Sequence, residues 1–141
     1  MKRYLEYIKE NQSMEDQWFY SIHCNYIEDV EDFINKGIDI NVQDNYGYTA
    51  LMISSFGKYN YIVEILLKHP DIDVTIKNDE GYNFIDMLED TSFLINYQIQ
   101  KYLLKSGRDD IILFFDKYNL IDPKIKEEYP DLFNADKWGL I

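Results

Sequence analysis

The sequence has one cysteine, two histidines and no long apolar run, and each shortage excludes a class of protein. Cys24 alone can form neither an internal disulfide nor a multi-thiolate metal site, and a lone thiol is typical of a reducing compartment. No apolar run approaches the roughly 18 residues that a membrane-spanning helix needs. Glu6, Lys9 and Glu10 interrupt the first segment, so it does not read as a signal peptide. We expect a cytoplasmic location, inside the producing cell or a host cell, and no contact with membranes.

Positive charge is also scarce. The 141 residues include 26 acidic and only 14 basic side chains, which gives a net charge of −12. A surface this acidic repels phosphate, so direct binding of nucleic acid is not expected. The excess is uneven: residues 1–43 and 44–90 carry −5 and −6, whereas residues 91–141 carry −1. Since 46% of the residues are apolar, the chain is long enough and apolar enough for one packed domain.

An internal repeat is present. Residues 44–52 (Asp-Asn-Tyr-Gly-Tyr-Thr-Ala-Leu-Met) recur in altered form at residues 78–86, and their turn glycines are 34 positions apart. The apolar segment 62–68 lies between these glycines. Its apolar band is too wide for a lone surface helix, so neighbouring helices must cover it on both sides. The segment after it, residues 70–75, parallels residues 37–41 with one residue inserted. Such periodicity predicts stacked helical units.

At these residues the sequence resembles the ankyrin repeat family, over about residues 15–104. Ala50 and Met52 stand where proline and histidine are usual in the family, and Lys58 stands where the glycine between the helices is usual. Pro70 and Asn83 replace a glycine and a threonine. The resemblance implies an all-α, ankyrin-like helix-turn-helix solenoid with short projecting turns. It also implies a protein-binding module that is not an enzyme and needs no cofactor.

The expected organisation is one domain over residues 1–141. It would consist of an N-terminal cap helix in 1–14, three repeats at 15–43, 44–77 and 78–107, and a helical C-terminal cap over 108–141. Helices are predicted over 2–11, 15–24, 26–36, 50–56, 84–89 and 109–120.

Local sequence signals predict the turns and helix ends of the most complete repeat, residues 44–77, and of the one after it. Gly47 and Gly81 occupy turn positions that favour a positive φ. Thr49 is predicted to cap the helix at 50–56, and Asn83 the helix at 84–89. Pro70, which lacks an N–H donor, should end the helix before it.

Catalytic and metal-binding patterns are weak. His23 and Cys24 are adjacent, and neighbouring helical side chains point about 100° apart, so they make a poor nucleophile pair. The segment starting at Asp71 resembles a calcium loop, but Ile76 and Tyr82 stand where glycine and glutamate are needed. No phosphate-binding glycine loop occurs either. We therefore expect no catalytic residue and no metal.

Carried over by motif position, the ankyrin partner surface comprises the projecting turns and the exposed side of the first helices. It contains Gln43, Asn45, Tyr46, Tyr48, Phe56, Lys77, Asp79, Glu80, Tyr82 and Asp90. Aromatic rings among carboxylates favour binding, because they bury much area for little rotamer entropy. A separate acidic patch is formed by Glu28, Asp29, Glu31 and Asp32, which also fits a solvated helix face.

Three functions stay open at this point. The first is a module that binds, and modulates or inhibits, a partner protein with a basic surface, as a viral, parasite or symbiont effector would. The second is an acidic decoy that imitates nucleic acid and inhibits a nucleic-acid-binding defence protein. The third is an orphan enzyme whose site is assembled from scattered residues.

Overall fold

The computed structural model describes residues 12–134, and this part of the chain is helical and contains no β-strand. The all-α prediction is confirmed. The chain divides into two compact units between Glu89 and Asp90, inside the predicted third repeat. The predicted N-terminal helix at 2–11 and the last part of the C-terminal cap lie outside the described residues.

In its described part, residues 12–89, the first unit consists of two helix pairs and a short 3-10 turn. Helix α1 packs on α2, α3 packs on α4, and the two first helices, α1 and α3, also contact each other. The 3-10 turn packs on α3 from the following segment. The bounds are α1 Met14–His23, α2 Ile27–Asn35, α3 Ala50–Phe56, α4 Asn60–Lys68 and the 3-10 turn Ile85–Met87.

The helix pairs close on the same kind of turn. Lys58 adopts a left-handed φ of +60° after α3, and Asn25 does so after α1 with φ +55°. In the α3–α4 turn, the Lys58 N–H donates to the Ser55 carbonyl oxygen at 3.2 Å, and the next N–H donates to that of Ser54 at 2.9 Å. This bond pair satisfies the last helical carbonyls. Lys58 therefore takes the backbone conformation that the usual glycine would take.

The core of the first unit is built from the apolar faces of both pairs. Helix α4 buries Ile62, Val63, Leu66 and Leu67 completely, so the prediction that this band is covered is confirmed. Trp18, Ile22 and Val30 are fully buried in the first pair. Ile27, Phe33 and Ile34 on α2 are only half-buried.

The predicted helix at 84–89 is wrong, because the structure forms only the 3-10 turn Ile85–Met87. Its cap was predicted correctly: Asn83 Oδ1 accepts from the N–H groups of Ile85 and Asp86 at 3.0 and 3.2 Å. Asp86 Oδ2 accepts in return from the Asn83 N–H at 2.9 Å. Leu88 then turns to extended geometry, with ψ 127°. The extended backbone at Leu88 ends the turn before a second helical turn can form.

Within residues 90–134, the second unit holds three further α-helices and two 3-10 turns. Buried Gln100 ties its loops together: Nε2 donates to the carbonyl oxygens of Leu94 and Leu120 at 2.8 and 2.7 Å. The helix predicted over 109–120 ends earlier, because Asn119 adopts a left-handed φ of +57°. The bounds are Ser92–Leu94 (3-10), α5 Tyr97–Lys105, α6 Asp109–Lys117, α7 Pro123–Glu128 and Pro130–Phe133 (3-10).

Candidate functional site

Two projecting turns of the first unit have the same hydrogen bonds. In the first, Asp44 Oδ1 accepts from the N–H groups of Tyr46 and Tyr48, both at 2.9 Å. In the second, Asn78 Oδ1 accepts from those of Glu80 and Tyr82, both at 3.0 Å. Gly47 and Gly81 have φ of +83° and +87°, so the predicted positive φ is confirmed.

The turns are also joined to each other. The Asp79 N–H donates to the Tyr46 carbonyl oxygen at 3.1 Å. Gln43 Nε2 donates to the carbonyl oxygens of Gly47 and Lys77, at 2.9 and 3.1 Å. The amide of Gln43, expected on the partner surface, is thus used to hold the two turns side by side.

Helix α3 follows the first turn directly. Thr49 Oγ1 accepts from the Met52 N–H at 3.3 Å, which confirms the predicted cap. Ser54 and Ser55 are buried, and each hydroxyl donates to a carbonyl oxygen one helical turn earlier. These small side chains let neighbouring helices approach closely. Phe56 ends the helix with 74% of its surface exposed, although removing a phenyl ring from water is favourable in free energy.

A groove of about 350 Å³ lies beside α3. It combines aromatic rings, two apolar side chains and three carboxylates, and none of the described residues that line it is basic. Its eight lining residues are Tyr48, Phe56, Glu80, Tyr82, Asp86, Met87, Leu88 and Glu89. Four of the predicted partner-binding residues are thereby brought together: Tyr48, Phe56, Glu80 and Tyr82.

Four groove residues were missed by the sequence prediction. Asp86 is a cap residue, and Met87, Leu88 and Glu89 follow it in the segment expected to be helical. The 3-10 turn and the extended backbone after it bring them to the groove. The available signal was the mixture of acidic and apolar residues in this segment.

One ion pair lies on the groove's rim. Lys58 Nζ is 2.7 Å from Glu89 Oε2, and both side chains are exposed. The hydrogen bond from Lys58, followed by its charge, lowers the pKa of the Glu89 carboxyl below its usual value.

The other predicted site residues lie elsewhere. Asn45, Tyr46, Lys77 and Asp79 are exposed on the turns but do not line the groove. Asp90 begins the second unit, where its Oδ1 accepts from the Ser92 N–H at 2.9 Å.

The acidic patch lies on α2, and its four carboxylates are exposed. Glu28 and Asp29 occupy the first turn, where a negative charge stabilises the helix N-terminus. Asp32 pairs with Lys36 at 2.7 Å. Electrostatic interactions within α2 therefore explain three of the four carboxylates of the acidic patch.

Within residues 12–134, no cluster of three or more His, Cys, Asp or Glu side chains could hold a metal ion. None of the helices in that range is long and apolar enough to cross a membrane.

The fold and the groove define a helical-repeat protein, a class whose stacked units present extended binding surfaces. Residues 46–79 match the family model described as the ankyrin repeat. An ankyrin repeat protein of Rickettsia bellii (strain RML369-C) is 36% identical over 64 residues, which are 45% of this chain and 66% of that protein. The chain thus spans just under two thirds of that relative's length. Residues 46–79 thus match an ankyrin repeat, a unit that serves as a protein–protein interaction module in a family whose members are typically non-enzymatic.

Proposed function

We propose that the groove of the first unit binds a basic, exposed segment of another protein, and that this binding modulates or inhibits the partner. The observation that carries the proposal is the groove itself, where exposed rings stand among three carboxylates and the lining residues that the structure describes include no basic one. An expected cytoplasmic location and a role as an effector in a host cell remain parts of this proposal.

The chemistry of the groove favours an arginine side chain as the main contact. A guanidinium stacks on aromatic faces and pairs with carboxylates through two parallel hydrogen bonds. Phe56 and Tyr82 offer the rings, with 74% and 49% of their surfaces exposed. Glu80 and Glu89 offer carboxylates that are also exposed. The net charge of −12 would steer a basic partner toward the protein, so association should slow as salt rises.

The first experiment is a binding titration with a fluorescent alternating glycine–arginine peptide. Phe56→Ala should weaken binding about tenfold or more, as truncation of an aromatic anchor does. The matched control is Tyr61→Ala, because this ring on α4 is also exposed (55%) but lies outside the groove. It should leave the affinity nearly unchanged. Equal binding by wild type and Phe56→Ala would reject the groove.

The decoy function makes a different prediction. Its support is the exposure of Glu28, Asp29, Glu31 and Asp32 on α2. If it holds, neutralising these four with Gln and Asn should abolish peptide binding while Phe56→Ala leaves it intact. Nucleic acid should then compete with this protein for a basic target. The groove proposal is better supported, because the rings offer shape and stacking that an array of charges lacks.

A further inference from the structure

We propose that Lys58 is a built-in competitor that pairs with Glu89 at the rim of the groove until a cationic side chain of the partner displaces it. The inference rests on the proposed function, since it concerns how the same groove selects its ligand. It assigns Glu89 as the subsite for one guanidinium or ammonium group, and Lys58 as the residue that sets the affinity for it.

The first support is a cation already present at that carboxylate. Lys58 Nζ lies 2.7 Å from Glu89 Oε2, so the structure itself holds an ammonium group where the ligand's charge would go. Glu89 lines the groove, whereas Lys58 approaches it from the turn between α3 and α4. The partner's group and Lys58 therefore compete for one carboxylate.

The second support is the backbone that holds Lys58 in place. Its φ of +60° is in the left-handed region, which costs a side-chain-bearing residue more than glycine. Hydrogen bonds to the carbonyl oxygens of Ser54 and Ser55 fix this turn. The turn thus keeps a lysine, at some cost in strain, with its ammonium group within reach of the rim.

The third support is the weakness of the contact. The Lys58 and Glu89 side chains are 66% and 79% exposed, and ion pairs this exposed contribute little. A guanidinium that also stacks on the rings gains more than Lys58 does, so it can displace the pair. Lys58 then lowers the affinity for every cation and leaves selectivity to the rings.

The test measures affinity for the alternating glycine–arginine peptide by fluorescence anisotropy at one ionic strength. Lys58→Gln should tighten binding about two- to fivefold, the range expected when an exposed ion pair no longer competes. Gln can keep the left-handed turn as Lys does, and Lys58→Met offers a second variant should the first fold poorly. The control is Lys68→Gln, because Lys68 pairs with Glu64 at 2.9 Å on α4, outside the groove. It removes the same charge and should change the affinity less.

A double substitution tests whether the effect of Lys58→Gln depends on the Glu89 carboxylate. With Glu89→Gln in place, Lys58→Gln should no longer tighten binding, since no carboxylate is left to compete for. Equal effects of Lys58→Gln and Lys68→Gln would overturn the inference, because net charge alone would then explain both, and the groove would stand as the binding site. Loss of peptide binding in every protein, wild type included, would overturn the inference and the proposed function together.

Discussion

Gln43 and Lys77 are 34 residues apart, and the Gln43 amide joins them: Nε2 lies 3.1 Å from the Lys77 carbonyl oxygen. The same nitrogen lies 2.9 Å from the carbonyl oxygen of Gly47. The Gln43 side chain therefore helps to fix the spacing of the two turns that flank the groove, together with the hydrogen bond from the Asp79 N–H to the Tyr46 carbonyl oxygen. Residues on these turns, such as Tyr48 and Tyr82, depend on that spacing for their positions.

Gln43→Ala should lower the free energy of unfolding by about 1 kcal/mol, because both side-chain hydrogen bonds are lost at an exposed site. Gln43→Glu should lower it further, since a carboxylate cannot donate and would face two carbonyl oxygens. Asn45→Ala, in the adjacent exposed turn, is the control and should change stability by less than about 0.5 kcal/mol. Urea denaturation measures all three. Equal stability of the Gln43 and Asn45 variants would contradict a linking role.

Gly47 and Gly81 offer a matched pair, because their φ angles are nearly equal and their surroundings differ. A Cβ at Gly47 would lie 2.8 Å from the backbone nitrogen of Asp79, whereas one at Gly81 would meet nothing within 4 Å. Gly81→Ala should cost about 1–2 kcal/mol, from backbone strain alone. Gly47→Ala should cost about 1–3 kcal/mol more, from the clash between the turns. Denaturation curves that give equal losses would show that the turns are not packed as described.

Leu66 tests the covered face of α4. Leu66→Ala should cost about 2–5 kcal/mol, because the side chain is fully buried and its removal leaves a cavity. Tyr61→Ala, on the same helix but exposed, should cost much less. The comparison is made by thermal unfolding followed with circular dichroism. A small loss for Leu66→Ala would mean that this face is not part of a packed core.

Glu128 should make the second unit sensitive to acid. The Lys101 ammonium group donates to its carboxylate, and the Tyr97 hydroxyl donates at 2.6 Å. These hydrogen bonds lower the pKa of the Glu128 carboxyl below its usual 4.5, the bond from Lys101 being the largest cause. A lowered pKa in the folded state gives stability that is present above pH 4.5 and lost as the pH falls through the lowered value.

Glu128→Gln should therefore be less stable than wild type at neutral pH, and this difference should shrink below about pH 4.5. Denaturant midpoints at a series of pH values measure it. Glu127→Gln changes the same charge one residue earlier and serves as the control. A difference that stays constant down to strongly acidic pH would contradict the described contacts.

Much of the first unit could be predicted from its sequence, because short-range chemistry fixes it. The glycines at 47 and 81 mark turns that need a positive φ, and Thr49 and Asn83 cap whatever follows them. The width of the apolar band at 62–67 shows that α4 must be covered. These features depend on residues within a few positions of one another.

The rest of the site depends on contacts that no local pattern specifies. The sequence identifies Asn83 as a cap, but it does not show that only a short 3-10 turn follows. That turn brings Met87, Leu88 and Glu89 to the groove. The family pattern placed Gln43 on the surface for a partner, whereas its amide is bonded to a carbonyl 34 residues away. The contact between Lys58 and Glu89 likewise depends on where two turns meet.

Nuclear magnetic resonance can show whether the groove of the first unit receives a basic segment. Amide chemical shifts of the ¹⁵N-labelled protein are followed while the alternating glycine–arginine peptide is added. We expect the largest changes on the groove residues, including Tyr48, Phe56, Tyr82 and Glu89. Changes confined to residues 28–32 of α2 or to residues 90–134, or no saturable change at all, would contradict it.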